Sequence, residues 1–262
     1  VNAALNLHPQ CVTVFADDPE QQGYTPERAE AYRRQLAERV AGIPGVDKVA
    51  FVSIPPFTGI SMGAALRRPG APTDARPLLA VADQVSHGYF SAMGIPMVRG
   101  SDFDASDDWR PLAPSETGKV IVSTSLARQL FGTNVAIGRL VSIYGRTDQV
   151  VGEVGDIHWN GRGGEGEPML YQPLGGRTPY APMLVVKAHA PTGAVEHAVA
   201  REATTLDATL PIVSRGPLNT KIADSLADQT LLFRLLGILS ALTLVLAAVG
   251  IYSLVAYGVA TG

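Results

Sequence analysis

Two glycine motifs in the sequence are typical of enzyme sites. Residues 59–63 read GISMG and match G-x-S-x-G, in which a serine (here Ser61) on a sharp strand-to-helix turn is the nucleophile of a hydrolase. Residues 161–166 read GRGGEG and match G-x-G-x-x-G, whose glycines bring a helix N-terminus close to a dinucleotide. Both motifs lack the flanking elements they need. Prolines interrupt the strand before Ser61, RPG at 68–70 prevents a helix after it, and 167–171 is extended in pattern.

The other side chains that could do chemistry do not form a recognisable site. The pair Gly118-Lys119 lacks the neighbouring residues of a phosphate-binding loop. Three aspartates within 104–108 lack the alternating ligands and closing glutamate of a calcium loop. The single cysteine, Cys11, excludes an intrachain disulfide. The histidines have no ligand-like spacing: His8, His87, His158, His189 and His197. The sequence therefore predicts no catalytic, cofactor-binding or metal-binding residue, and no cofactor.

Charge is distributed unevenly along the chain. The 262 residues include 21 basic and 24 acidic side chains, a balance that gives no basic surface for nucleic acid. Every Asp, Glu, Lys, Arg and His lies at or before Arg234, and 235–262 is free of charge. Because roughly 20 apolar residues cross the hydrocarbon core of a bilayer, this segment is predicted to be a transmembrane helix. We expect both ends of the chain to be cuts through a longer protein.

The polar part contains two stretches with the same strand-helix-strand plan, one within 12–54 and one within 183–214. Two such units can pair into one ferredoxin-like, split β-α-β layer, so the predicted fold class is α+β. The predicted domains are a porter-like β-α-β subdomain from 1–54 and 182–216, an inserted β-rich lobe at 55–181, an amphipathic connecting helix at 217–234, and the transmembrane helix at 235–262.

Several segments, taken together and in order, resemble one family. They read GYFSAMGIP at 88–96, RGSDF at 99–103, VIVS at 120–123, LARQLFG at 126–132, IGR at 137–139, VVGEVGD at 150–156 and GIYSLVAY at 250–257. They are similar to segments of MacB-type, FtsX-like ABC transporter permeases that carry a MacB-like periplasmic core domain. Ser123 and Glu153 depart from the family pattern, which has an asparagine and an apolar residue there. The charged cytoplasmic stretch that normally follows is missing after Gly262.

The resemblance implies a non-enzymatic permease of the bacterial inner membrane, with its soluble domain in the periplasm. It would transmit ATP-driven motion from the cytoplasm to the periplasm for export or efflux, and 235–262 would be the second membrane span and the start of a truncated permease domain.

The resemblance also implies partners. These are a separate ATP-binding subunit or domain, a second permease or duplicated permease half, the lipid bilayer, and a periplasmic adaptor or outer-membrane protein as a further candidate. One alternative is a non-transporting membrane regulator of the same architecture that activates a periplasmic partner. The least favoured hypothesis is a membrane-tethered serine hydrolase that uses Ser61.

Overall fold

Fifteen helices and strands are described. The structure is a computed structural model, which describes residues 12–70, 72, 76–113, 116–132, 136–143, 145–157, 166–175 and 180–218, together with 239, 240, 243 and 246. In chain order the elements are β1 Val12–Ala16, α1 Pro26–Ala41, β2 Val46–Val52, β3 Met62–Arg67, β4 Leu78–Val85, α2 Tyr89–Met93, β5 Met97–Gly100, β6 Gly118–Ser123, α3 Thr124–Phe131, β7 Leu140–Ile143, β8 Arg146–Val154, β9 Met169–Pro173, β10 Met183–Ala188, α4 Thr192–Leu206 and β11 Val213–Pro217.

Helix α1 begins at the capping residues that the sequence indicates. The Thr25 hydroxyl oxygen accepts a hydrogen bond from the backbone N–H of Arg28 at 3.3 Å, and Pro26 occupies the first turn, where no backbone N–H is needed. Leu36 and Val40 are fully buried on the apolar face of the helix. This face packs α1 against the sheet and against α4 in one apolar core.

The elements β1, α1, β2, β10, α4 and β11 form an interleaved layer. Its strand order is β11-β1-β10-β2, and each neighbouring pair is antiparallel. Each β-α-β unit therefore has a strand of the other unit between its own two strands, which is the split β-α-β arrangement. The predicted α+β class is confirmed.

The strands of the 55–181 segment form a closed ring. Its order is β4-β3-β7-β8-β6-β9, and parallel pairing of β9 with β4 closes the ring. We call these six strands the barrel. Alternate residues such as Leu66, Val122 and Val150 face a common core, to which α3 contributes Leu126 and Leu130. Closure removes free strand edges from this ring, and β5 pairs with β8 alongside it.

The interleaved layer and the barrel meet where β2 lies beside β4. The two strands share a single cross-strand pair, Val52 with Val85. Two backbone hydrogen bonds flank it, from Ser53 N–H to the Gln84 carbonyl at 2.9 Å and from Ser86 N–H to the Phe51 carbonyl at 3.0 Å. The ladder between these two strands is therefore very short.

Strands β3 and β5 were not predicted from the sequence. The inward residues of β3 are Ala64 and Leu66, and its outward residues include the exposed Gly63 and Ala65. Small residues on both faces give a weak alternating pattern, which explains why the sequence did not indicate β3. A second correction concerns Pro217, which was predicted to begin the connecting helix but is the last residue of β11.

The last described strand lies beside the first. Strand β11 is antiparallel to β1, and Pro217 pairs with Thr13. Leu218 is helical, and the rest of the predicted connecting helix, 219–234, lies outside the described residues.

The predicted transmembrane segment, 235–262, also lies outside the described residues, apart from four helical positions at Leu239, Ser240, Thr243 and Leu246. Within the part of the chain that is described, no helix has the length and apolarity that a membrane crossing requires.

Candidate functional site

A cleft of about 1270 Å³ lies between the start of α1, the barrel, and the long loop that joins β5 to β6. Four basic side chains border it, and each is paired with a carboxylate: Arg33 with Glu20, Arg110 with Glu116, Lys119 with Asp107, and Arg146 with Asp148. The four basic charges of the cleft are thus each neutralised by a carboxylate. This arrangement suits a structural connection between elements better than a reactive centre.

One wall of the cleft holds a buried arginine between two carboxylates. The Arg33 guanidinium donates to both oxygens of Glu20 at 2.8 and 2.7 Å, and its Nε lies 3.5 Å from Asp17 Oδ2. Burial raises the pKa of Asp17 from 3.8 to about 6, although the nearby Arg33 charge acts in the opposite direction. The pKa of Glu20 is lowered, because the hydrogen bonds and charge of Arg33 outweigh its partial burial.

A second wall is formed by residues 104–112, which we call the clamp segment. Its central carboxylate, Asp108, accepts a hydrogen bond from the backbone N–H of His87 at 2.9 Å and contacts His87 Nδ1 at 2.5 Å. Burial raises the pKa of Asp108, and the contacts with His87 oppose that shift. The Asp108 backbone carbonyl accepts a hydrogen bond from Arg34 Nη2 at 3.1 Å. Asp108 therefore contacts both the end of β4 and helix α1.

Trp109 extends the clamp segment into the interleaved layer. Its ring packs edge-on against Phe51 of β2, with the ring centroids 5.5 Å apart, and the Arg33 guanidinium lies 6.0 Å from the ring centroid. Its backbone N–H donates to the Leu174 carbonyl. The φ of Trp109 is +60°, a left-handed conformation that is rare for a bulky residue. Such local strain is found where the surrounding contacts impose it, often at functional sites.

The barrel side of the cleft is held by buried carboxylates. Asp148 is fully buried, receives two hydrogen bonds from Arg146 at 2.9 and 3.0 Å, and accepts one from Gly118 N–H at 3.0 Å. Asp83 is also buried, and its Oδ1 accepts from the backbone N–H groups of Ile54 and Gln84. Burial raises the pKa of Asp83 well above its ordinary value, which favours the neutral acid.

The structure places the sequence motifs in non-catalytic surroundings. Ser61 is followed by strand β3 and not by the helix that a nucleophile elbow requires. Lys119 lies in strand β6 and bridges Asp104 and Asp107 at 3.2 and 2.8 Å.

The remaining motif positions are only partly described. His189 Nδ1 lies 2.9 Å from Asp47, whereas His8, His158 and residues 161–165 are outside the described part. Among the residues the structure describes, no group of three or more His, Cys, Asp or Glu side chains could hold a metal ion. The absence of catalytic residues stays a prediction.

The clamp segment was not predicted from the sequence, because the composition of 102–117 indicates only a polar loop. The signal that could have found it is Trp109, a large aromatic residue among aspartates. An aromatic side chain of this size in a polar loop is often buried against another element.

The fold and the cleft define a class: an α+β domain with an interleaved layer, a closed barrel and no reactive constellation among the described residues. Residues 5–206 match the family described as the MacB-like periplasmic core domain, and the chain belongs to this family.

One solved structure is similar in fold, and a second aligns with a lower TM-score. The periplasmic region of MacB from Actinobacillus actinomycetemcomitans superposes with a TM-score of 0.53 at 13% identity, covering 84% of this chain and 94% of that chain. The extracellular domain of the ABC-type transporter YknZ from Gram-positive bacteria gives a TM-score of 0.48 at 16% identity, covering 77% and 99%. No match was found among curated protein sequences.

Proposed function

We propose that this chain is the periplasmic core domain and second membrane span of an ABC transporter permease, and that it transmits ATP-driven motion from the cytoplasm to the periplasm for export or efflux. The family match supports the periplasmic domain, and the charge-free segment 235–262 supports the span. The proposed divisions are a porter-like subdomain of 1–54 and 182–216, an inserted lobe of 55–181, and a connecting helix that begins just after Pro217.

The observation that carries the proposal is the pairing of Thr13 with Pro217. Paired backbones in a sheet lie about 5 Å apart, so the first and last strands of the described fold lie side by side. This arrangement suits a domain held between two membrane segments. Because both attachment points belong to one hydrogen-bonded sheet, a displacement of either flanking segment acts on the same rigid body.

The ATP-binding component would be a separate subunit or domain, and a second permease or permease half would complete the assembly. We place the domain in the periplasm and the apolar segment in the inner membrane. A periplasmic adaptor or an outer-membrane protein would receive the motion or the exported compound. The alternative is a membrane regulator of the same architecture that activates a periplasmic partner without moving a substrate.

The connection between membrane and domain can be tested with Leu231→Pro in the full-length protein, co-expressed with its ATP-binding subunit. Proline removes a backbone donor and interrupts a helix, so we expect ATP hydrolysis to continue and export to be lost. Export is measured as survival against the compounds to which a deletion strain becomes sensitive. Leu231→Ala is the matched control and should preserve both activities. Export by Leu231→Pro at the wild-type level would contradict the proposal.

A deletion strain also separates the two candidate functions. Loss of resistance to compounds, with cell-wall hydrolysis unchanged, supports export. Loss of the activity of a periplasmic hydrolase, with unchanged accumulation of every compound tested, supports the regulator.

A further inference from the structure

The clamp segment joins the interleaved layer to the barrel by two unequal sets of contacts. We propose that it is a releasable connection: it stays with the barrel, separates from α1 and β2 as a unit, and does so during the ATP cycle. The last part rests on the proposed function. The release itself follows from the contacts of the described residues.

The contacts on the barrel side are charged, and two of their carboxylates, Asp107 and Asp108, are largely buried. Asp108 is held by both the backbone N–H and the ring of His87. Lys119 of β6 binds Asp104 and Asp107. Charge-assisted hydrogen bonds are stronger than neutral ones, and burial of the carboxylate strengthens those of Asp107 and Asp108. The clamp segment is therefore attached to the barrel by several ionic contacts.

The contacts on the layer side are fewer, namely one exposed hydrogen bond and one aromatic ring. Arg34, whose side chain is 50% exposed, donates one hydrogen bond to a neutral carbonyl, that of Asp108. The ring of Trp109 contacts Phe51, and the Arg33 guanidinium near it is already engaged with Glu20. Solvent competes readily for an exposed hydrogen bond of this kind. When the two parts move, the layer side separates first.

The backbone of Trp109 favours the same outcome. Its left-handed conformation is unfavourable for a residue with a Cβ atom, and the contacts of the bound segment, including the backbone hydrogen bond to Leu174, hold it. Release of the segment would allow φ to return to a relaxed value. The strain therefore lowers the free energy needed to open the clamp segment.

Opening would also free the two parts to move. Between the layer and the barrel, the described strands share the one pair of Val52 with Val85. A ladder this short acts as a hinge, because bending it breaks few hydrogen bonds. With the clamp segment attached, α1 and the barrel are tied on both sides of the cleft. With it released, the described contacts that remain include this short ladder, the hydrogen bond from Ile54 N–H to Asp83 and the packing of α2 against β2 and β10.

Hydrogen exchange measured by mass spectrometry tests the release in the full-length protein bound to its ATP-binding subunit in lipid nanodiscs. In Arg34→Gln we expect the amides of 105–112 to exchange about fivefold faster, with unchanged rates in β6 and β8. Arg39→Gln is the matched control, since Arg39 lies on the same helix and faces Glu202 at 3.8 Å. The proposal fails if 105–112 exchanges only at the rate of β6 and β8, or if Arg34→Gln has no effect.

The coupling to ATP is tested in the same sample during turnover. We expect the wild-type exchange of 105–112 to rise at least threefold over the nucleotide-free state. A second readout uses a complex in which Trp159 and any tryptophan outside these 262 residues are replaced by phenylalanine, so that Trp109 alone fluoresces, and acrylamide quenching should then increase on addition of ATP. Unchanged exchange and quenching would overturn the coupling.

The export assay with Leu231→Pro distinguishes failure of the clamp proposal from failure of the proposed function. If the clamp segment stays closed while wild-type export remains sensitive to Leu231→Pro, the clamp proposal alone is wrong. If export does not exist, the proposed function is wrong, and fast exchange in Arg34→Gln would still establish the releasable contact.

Discussion

Arg33 Nε lies 3.5 Å from Asp17 Oδ2, and the two side chains are only 2% and 1% exposed. The guanidinium is nevertheless directed mainly at Glu20, to which it donates two shorter hydrogen bonds. Asp17 is therefore buried with a distant partner, and its ionised form is poorly stabilised. This pair makes the stability of the domain depend on pH.

Asp17→Asn should reduce the pH dependence of stability between about pH 4 and pH 6. Burial raises the pKa of Asp17 from 3.8 to about 6, so the folded protein retains this proton at pH values where the unfolded chain has lost it. Folding stability therefore falls as the pH rises through this window, by about 3 kcal/mol for this carboxyl. Urea denaturation at several pH values measures the effect.

Asp104→Asn is the control for Asp17→Asn, because it removes a carboxylate that is 74% exposed. It should leave the slope between pH 4 and pH 6 close to that of the wild type. An Asp17→Asn slope equal to the wild-type slope would show that Asp17 is not the responsible group.

Trp109→Gly should be no less stable than Trp109→Ala. Loss of the ring costs about 3 kcal/mol in both variants, because its packing against Phe51 is removed. Glycine normally destabilises a folded protein by about 0.5–1 kcal/mol relative to alanine, yet it adopts a φ of +60° without strain. We therefore expect the free energy of unfolding of Trp109→Gly to equal or exceed that of Trp109→Ala. An alanine variant that is more stable by 1 kcal/mol would show that the left-handed conformation is not imposed by the fold.

Gly118→Ala should destabilise the barrel by about 2 kcal/mol. A Cβ atom at this position would lie 2.6 Å from Asp148 Oδ1 and 2.9 Å from Leu112 Cδ1, so the buried carboxylate would have to move. Gly63→Ala is the matched variant in β3, where the space around a Cβ is open. It should be neutral or stabilising by up to about 1 kcal/mol. Equal thermal midpoints for the two variants would disprove the close packing at Gly118.

Ser61→Ala should leave export, ATP hydrolysis and the midpoint of thermal unfolding unchanged. Ser61 lies directly before a strand, and the helix that would hold its hydroxyl as a nucleophile is replaced by β3. Hydrolysis of a p-nitrophenyl ester by the purified protein, abolished specifically by Ser61→Ala, would revive the hydrolase hypothesis.

Local signals were sufficient for most of the elements. Helix α3 has local signals in the sequence, because Ser123 is a good N-cap and Leu126 and Leu130 follow at helical spacing. Contacts between distant residues were beyond the sequence. The barrel closes through parallel pairing of Val81 with Met169, and nothing in either strand specifies that neighbour.

The candidate site was harder to predict than the fold. Arg33 and Arg34 are adjacent on one helix, and only the folded structure shows that both approach the clamp segment. Loop residues such as Trp109 follow no period, so their partners depend on tertiary packing.

The pairing of Thr13 with Pro217 also bears on how such a domain could spread among proteins. A module whose two ends lie one strand spacing apart can replace a tight turn in an unrelated host without separating the elements on either side of that turn. The host keeps its own fold, and the module keeps its hydrophobic cores. A recombination event would then need only two breakpoints, at the edge of one sheet, to move the whole module intact.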